Sequence, residues 1–288
     1  MGVSNTTTLN DLVGQIVAEQ AQSAAYKARV MRNIISSYEV PPGAGKIVVP
    51  RFQSITVAGL TEATAPAAAD CATDGVTLTP VERGALLRIS KTALHADPWT
   101  DLQPYGEQLG RALAGDEDDL ILDAVSFSTI VNQQGGGANN VSVADLLTAI
   151  AGLEAANAPG PYVAVWHPTS WSKIRAGIDD ASAFASVGTR VVEGFGEGFT
   201  NMNGYVGSPY GVPCFISTGV NAVHDDANSY ANLVFSKEAI GYAYMQDIGV
   251  DVDDNVAARA MDLMGWYSGD ADELVDAYGI QVEDDIDG

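Results

Sequence analysis

The sequence predicts an α+β fold in which an N-terminal arm, an extended β-hairpin loop and a long helix lean on one another. Three observations predict it. Between Lys46 and Lys91 two strand-like arms flank Ala58–Asp74, seventeen residues of which seven are alanine and only Leu60 is large and apolar. Directly behind them, DPWTDLQPYGEQLGRALAGDEDDLILDAVSF carries apolar residues at helical spacing. The C-terminal part then reads as successive strands, with 231–235 and an unusually long 240–252 separated by a short break.

In chain order, residues 9–35 form an amphipathic arm, helical in part. Its apolar positions are Leu9, Leu12, Val13, Ile16 and Val17, then Val30, Met31 and Ile34, and Pro41-Pro42-Gly43 ends it. The hairpin follows, with Ile47, Val48, Val49, Ile55 and Val57 outward and Val76, Leu78, Leu86, Leu87 and Ile89 returning. An isolated two-stranded hairpin is marginal in water, and this tip has nothing from which to build a core, so it must lie against something else.

The long helix spans Leu102 to Phe127, roughly 39 Å at 1.5 Å per residue. Either Thr100 with Gln103 caps it, or Asp101 caps it with Pro104 in the first turn. Gly106, Gly110 and Ala114 recur every fourth residue. Each glycine costs helix stability, roughly 1 kcal/mol, so the stripe predicts a close-approaching neighbour. Gln133–Asn140 is a glycine-rich boundary. A second helix runs from Ser142, its cap, to Asn157, and Tyr162–Trp166 is a strand that His167-Pro168-Thr169-Ser170 turns into another helix. Residues 188–212 read as glycine-rich loops, 212–218 as a short strand, and Glu283–Asp287 as an acidic tail.

Composition bounds the function. The chain has 288 residues, 47% hydrophobic, with a net charge of −23. Up to Arg111 there are nine Lys/Arg against ten Asp/Glu, and beyond it five against twenty-seven. Such a surface repels phosphate and lacks a basic groove, so nucleic acid would be confined rather than gripped, touched weakly by Lys27, Arg29 and Arg32. Acidity of this kind equally suits solvation in a saline medium. No run of about 18 apolar residues suggests a membrane span, and the Met1-Gly2…Thr6 match to a myristoylation pattern is read as chance. Cys71 and Cys214 fit no metal spacing or disulfide framework, and a reduced Cys71 is expected.

The chemistry-bearing residues do not converge on a reaction. His95, His167 and His224 lack an elbow nucleophile, since Gly207-Ser208-Pro209-Tyr210-Gly211 is off by one. Gly45-Lys46 is followed by Ile47, which rules out a phosphate-binding loop, and Gly194–Gly198 has the wrong spacing for a dinucleotide. Asp251, Asp253 and Asn255 match three calcium-loop ligands, but Val256 stands where glycine is needed, so they are read as a strand edge. No catalytic, cofactor-binding or metal residue is assigned.

The order of these parts resembles the major capsid proteins of tailed bacteriophages, the Hong Kong 97-type fold shared with encapsulin nanocompartments. The resemblance rests on the arm, the extended loop with Glu62, VTLTPVERGALLRISKTALHAD (76–97) leading into the spine helix, YVAVWHPTSWSKI (162–174), YGVPCFIST (210–218) and ANLVFSKEAIGYAYMQDIGVDV (231–252). It implies an arm at 1–40, an extended loop at 41–95, a peripheral domain with the spine helix at 96–141 and 231–288, and an axial domain at 142–230. It further implies hexamers and pentamers closing an icosahedral shell around double-stranded DNA, assembled in the host cytoplasm into a virion, with scaffolding, portal and cement proteins as partners. The extended loop contains no lysine between Lys46 and Lys91 for the covalent cross-link some members make, and no scaffolding segment precedes the arm. An encapsulin-type shell is the alternative, and an acidic hydrolase a more distant one.

Overall fold

The structure is a computed structural model that describes residues 6–52, 73–92, 103–133, 140–180, 203–220, 222–223 and 226–285. The hairpin tip with Leu60, Glu62 and Cys71, the helix cap at Thr100 or Asp101, His95, His224 and Gly194–Gly198 lie outside these residues.

The chain begins with α1 (Thr6–Ala28), a short 3-10 turn at Met31–Asn33, and β1 (Ser36–Glu39). The hairpin base is β2 (Ile47–Phe52) against β3 (Thr73–Leu78), antiparallel with Ile47 opposite Leu78. The returning arm was expected to continue to Ile89 as part of the hairpin. Instead it changes partner at Thr79-Pro80: Pro80 has no N–H to give a ladder, and the Thr79 N–H donates to Asp270 at 2.6 Å. The next strand, β4 (Val81–Ser90), pairs with β12 (Ala260–Glu273). Nor is the hairpin base coreless: Leu78 is fully buried with Val40 and Ala243, and Ile47, Val49 and Val76 pack around them.

The spine helix is α2 (Gln103–Asp123), which stops four residues earlier than the apolar pattern suggests. Val125 and Phe127 still go into the core, but from an irregular segment. The small-residue stripe has its neighbour, and it is the chain's own α1. A Cβ on Gly106 would come within 2.8 Å of the Val17 carbonyl oxygen, and one on Gly110 would overlap the backbone of Ala21. Pairing 17 with 106 and 21 with 110 means that the two helices run parallel. Val17, Ala21, Leu109, Leu113 and Ala114 then form one core with Leu263 and Tyr267 beneath.

Two large sheets follow. The first has the order β1-β11-β12-β4, with β11 (Ile240–Asn255) and β12 as a long antiparallel pair and β1 parallel to β11. The second contains β5 (Ile130–Val131), β6 (Tyr162–Trp166), β7 (Tyr205–Gly207), β8 (Cys214–Ile216), β9 (Ala222–Val223), β10 (Asp226–Ser236) and β13 (Gly279–Asp285). Its order is β5-β13-β10-β6-β8-β7, with β9 on β10. Helices α3 (Val143–Ala155) and α4 (Pro168–Asp180) belong to this half. Ser142 caps α3 through a bond from its N–H to Asp145 at 2.8 Å, and Pro168 sits in the first turn of α4, where a missing N–H costs little. Leu146 and Leu153 bury one face of α3 completely, each contributing about 2 kcal/mol.

The two strands expected at 231–235 and 240–252 enter different sheets. The first, β10, is central to the second sheet, and a tight turn at Lys237–Ala239 carries the chain into β11 of the first. β13 likewise pairs with β10 over seven residues. Residues 231–236 and 279–285 are thus built into the sheet of Tyr162–Trp166, and not into the sheet under the spine helix. Apolar runs buried on both faces carry no label for which of two sheets they enter.

Candidate functional site

Two buried charge clusters anchor the molecule, one in each half. At the first, where the arm meets the spine helix, Arg29 is only 6% exposed. Its Nε lies 2.5 Å from Glu117 Oε2 as an ion pair rather than an aligned hydrogen bond, and its Nη2 bonds Asp247. Arg32 Nη1 reaches both Glu117, at 3.2 Å, and Asp247, at 2.9 Å. The same guanidinium stacks 4.2 Å over the Tyr244 ring. Asp118 accepts the Val30 and Met31 N–H groups, each at 2.9 Å. Those backbone donors follow the end of α1 and would otherwise be unsatisfied. Arg29 and Arg32, expected to be free to touch DNA, are thus spent on acids; Lys27 is not part of the cluster.

Burial pushes the Asp118 carboxyl up to about 7 despite its two N–H donors, and Glu117 and Asp119 push the same way. Asp247 goes in the opposite direction. Burial alone would raise it, but the Arg29 and Arg32 guanidiniums and the Ile248 N–H hold it down at about 2.

In the second half the start of the acidic tail is a core element. Asp284 is fully buried and Glu283 nearly so, both on β13. Asp284 accepts the Val141 N–H at 2.9 Å, the Ser170 hydroxyl at 2.7 Å and Lys173 Nζ at 3.2 Å. Asn232 donates to Ser170 at 3.2 Å and to the Val282 carbonyl at 3.1 Å, and accepts the His167 N–H at 2.8 Å. A buried carboxylate survives only when paired and hydrogen-bonded, and this one has three donors.

His167 lies at this cluster without completing a catalytic arrangement. Its ring stacks on Tyr230 with centroids 3.6 Å apart, its Nδ1 accepts the Thr169 N–H at 3.3 Å, and burial lowers its pKa. Ser170 gives its proton to Asp284, not to the imidazole. Ser208 shares a hydrogen bond with the Tyr205 hydroxyl at 2.7 Å. Asp251 accepts the Trp266 indole N–H at 3.0 Å, and Asn255 bonds Asp262 at 3.1 Å and accepts the Ala258 N–H at 3.0 Å, which is strand and turn chemistry. Among the described residues no group of three or more His, Cys, Asp or Glu is placed to hold a metal ion, and no helix is long and apolar enough to cross a membrane. Burial drives the Cys214 thiol up to about 12.

Among the described residues an exposed sheet edge stands out. Every residue of β4 from Val81 to Leu86 is exposed, and β4 is an edge strand. Leu86 and its cross-strand partner Met264 are 57% and 41% exposed. Val48 on the hairpin and Val256 at the β11–β12 turn are likewise open. Natural proteins rarely leave a flat edge with apolar side chains unpartnered.

No protein-family model matches the sequence, and no curated protein matches it. Solved structures do match. The capsid of Ralstonia phage GP4 is similar at a TM-score of 0.67 and 10% identity, over 88% of this chain and 87% of that one. The capsid of cyanophage P-SCSP1u gives 0.65 and 14%, over 89% and 88%. The capsid of a native GTA particle gives 0.64 and 15%, over 99% and 92%. The chain thus has the mixed α+β fold of these phage and GTA capsid proteins.

Proposed function

We propose that the chain is a major capsid protein that assembles through repeated interfaces into hexamers and pentamers of an icosahedral shell around double-stranded DNA. The observation that carries this reading is the match of 88–99% of the chain to proteins solved as capsids. The exposed edge strand and apolar positions of β4 and β12 support it, since a subunit destined for a closed shell needs surfaces that are finished only by its neighbours. In this reading the first sheet with α2 is the peripheral body, the second sheet with α3 and α4 is the axial domain, and the protein is a virion component. DNA is held by confinement, because the arm's arginines are already paired. Separate scaffolding, portal and cement proteins complete the particle.

Negative-stain imaging and sedimentation of the purified protein, alone and with the products of neighbouring genes, test this. Closed shells of uniform diameter are the expected result. A stable monomer under every assembly condition would overturn the proposal. Shells that copurify with a protein cargo instead of DNA would reassign it to an enclosing compartment of the encapsulin type.

A further inference from the structure

The end of the arm helix is fastened to the second half by an amide. Asn203 Nδ2 donates to the Ala28 carbonyl oxygen at 2.6 Å. Ala28 is the last residue of α1, so this oxygen is one of the helix carbonyls left without an intrahelical N–H. Directly after Asn203 the chain turns through Gly204, at φ +74, and enters β7 at the edge of the second sheet. A Cβ on Gly204 would lie 2.7 Å from the Ile216 carbonyl oxygen and 3.2 Å from the Val30 side chain, so the turn demands glycine. Of the chain's asparagines only Asn203 is followed by glycine. The residue is exposed and lines an open groove of about 410 Å³ with Gln20, Ser23, Lys27, Glu107 and Arg111. Among the described residues the Gly204 N–H is donated to no backbone carbonyl.

We propose that Asn203 is a self-modification site, deamidated by attack of its own backbone, and that the product unfastens the end of α1. The Gly204 amide nitrogen gives up its proton and bonds to Asn203 Cγ. The Cγ–Nδ2 bond breaks, and Nδ2 leaves with that proton as ammonia. The succinimide ring left behind takes up a water molecule, which opens it to aspartate or isoaspartate, and no oxidant or cofactor is consumed. Three features favour the reaction here. No Cβ shields the attacking nitrogen, its N–H gives up no backbone hydrogen bond, and the open groove admits water. Lys27 and Arg111 line the same groove, with Arg111 held by Glu107 only at 3.5 Å, and they favour the negative charge that builds on the Asn203 side-chain oxygen. The product reverses the contact with Ala28. An amide donates to that oxygen, whereas a carboxylate cannot, and it adds negative charge where the helix dipole is already negative. The new anion turns instead toward Lys27 and Arg111. The arm end is thus fastened in a new subunit and loosened in an aged one.

The inference concerns the single subunit, so it stands or falls apart from the assembly reading. Full-length protein is held folded at pH 6 and at pH 8, beside Asn203→Gln, and its peptides are sequenced by mass spectrometry over time. Residue 203 should gain the mass of an NH-to-O exchange, faster at pH 8 because the attacking nitrogen must lose its proton. Asn203→Gln keeps an amide but has to close a larger ring, so it should stay unchanged. No gain at Asn203 in the folded protein would overturn the site, whatever the unfolded chain does. The consequence is read separately by amide hydrogen exchange of Asn203→Asp, which reproduces the product. Residues 26–33 should exchange roughly two- to tenfold faster than in the wild type, as expected for the loss of one hydrogen bond, with β10 unchanged. Wild-type exchange at 26–33, or an acceleration spread evenly over both halves, would overturn the unfastening.

Discussion

The arm junction and the Asp284 cluster are both buried and both charged, yet they are built on opposite plans. At the arm junction two arginines pair with Glu117 and Asp247, while Asp118 accepts two backbone N–H groups, so acids outnumber cations. At the second cluster a single carboxylate is met by a backbone N–H, a hydroxyl and an ammonium. The excess acid makes the arm junction sensitive to protons. Asp118, raised to about 7, gives stability that is complete below its unfolded 3.8 and lost as pH rises toward 7. Asp247, lowered to about 2, gives stability that is present above 3.8 and lost only as pH falls toward 2. A junction of this kind holds the arm conditionally, whereas Asp284 pins three elements of one half through a backbone N–H, a hydroxyl and an ammonium.

The sharpest way to break the comparison is Asp284→Ala. It strands the Ser170 hydroxyl and the Val141 N–H without an acceptor, leaves Lys173 only the Asp285 carbonyl, and should cost about 3–5 kcal/mol, read as a lowered urea midpoint for the whole molecule. Glu117→Ala comes next. It leaves Arg29 buried with only the half-exposed Asp247 as partner, at a cost of about 3 kcal/mol. Its signature should be local: trypsin should cut at Lys27 or Arg29 well before it attacks the second sheet. If Glu117→Ala and Asp284→Ala unfold the same region together, the two clusters are one cooperative unit and the contrast fails.

Gly110→Leu attacks the arm contact without touching charge. The added side chain overpacks the α1 backbone at roughly 1–3 kcal/mol, while Glu107→Leu on the partly exposed face should change stability by less than about 0.5 kcal/mol. Equal denaturation midpoints for the two would show that α1 is not seated on the stripe. The smallest effect is the pH response of the wild-type arm. From pH 5 to 7.5 its cleavage rate, normalised to an unstructured peptide, should rise by less than tenfold, equivalent to under about 1.4 kcal/mol. A flat profile would mean that Asp118 keeps one charge state throughout.

How legible these features were depended on the distance over which each one acts. Periodicity located α1, the spine helix and Tyr162–Trp166, because spacing is a local property. The glycine stripe announced a close neighbour, although nothing in the stripe itself says that the neighbour is Val17–Ala21 of the same chain. The sorting of β10 and β11 into different sheets was hidden, since Lys237–Ala239 is an ordinary turn whose role is decided by pairing partners far away in sequence. Glu283-Asp284-Asp285 read as a solvated tail because charge density usually means solvent. The signal that could have corrected it is the Gly279–Val282 run just before, whose apolar Ile280 and Val282 extend a strand straight into the acids. Arg29 and Arg32 were misread for the converse reason, as cations on an arm whose acidic partners lie 85 and more residues away.

That separation sets an order of events during synthesis. The helix α1 leaves the ribosome before the elements it packs against. Its stripe partner is complete only after Ala114 has emerged, and Arg29 cannot meet Asp247 until 218 further residues have been made. Contacts that distant form late and slowly. At elongation rates of about 5–20 residues per second, the 85 residues that separate Arg32 from Glu117 leave the arm for roughly 4–17 seconds as an amphipathic segment with an uncovered apolar face and two unpaired arginines. Any factor that binds the nascent chain would find its best handle there.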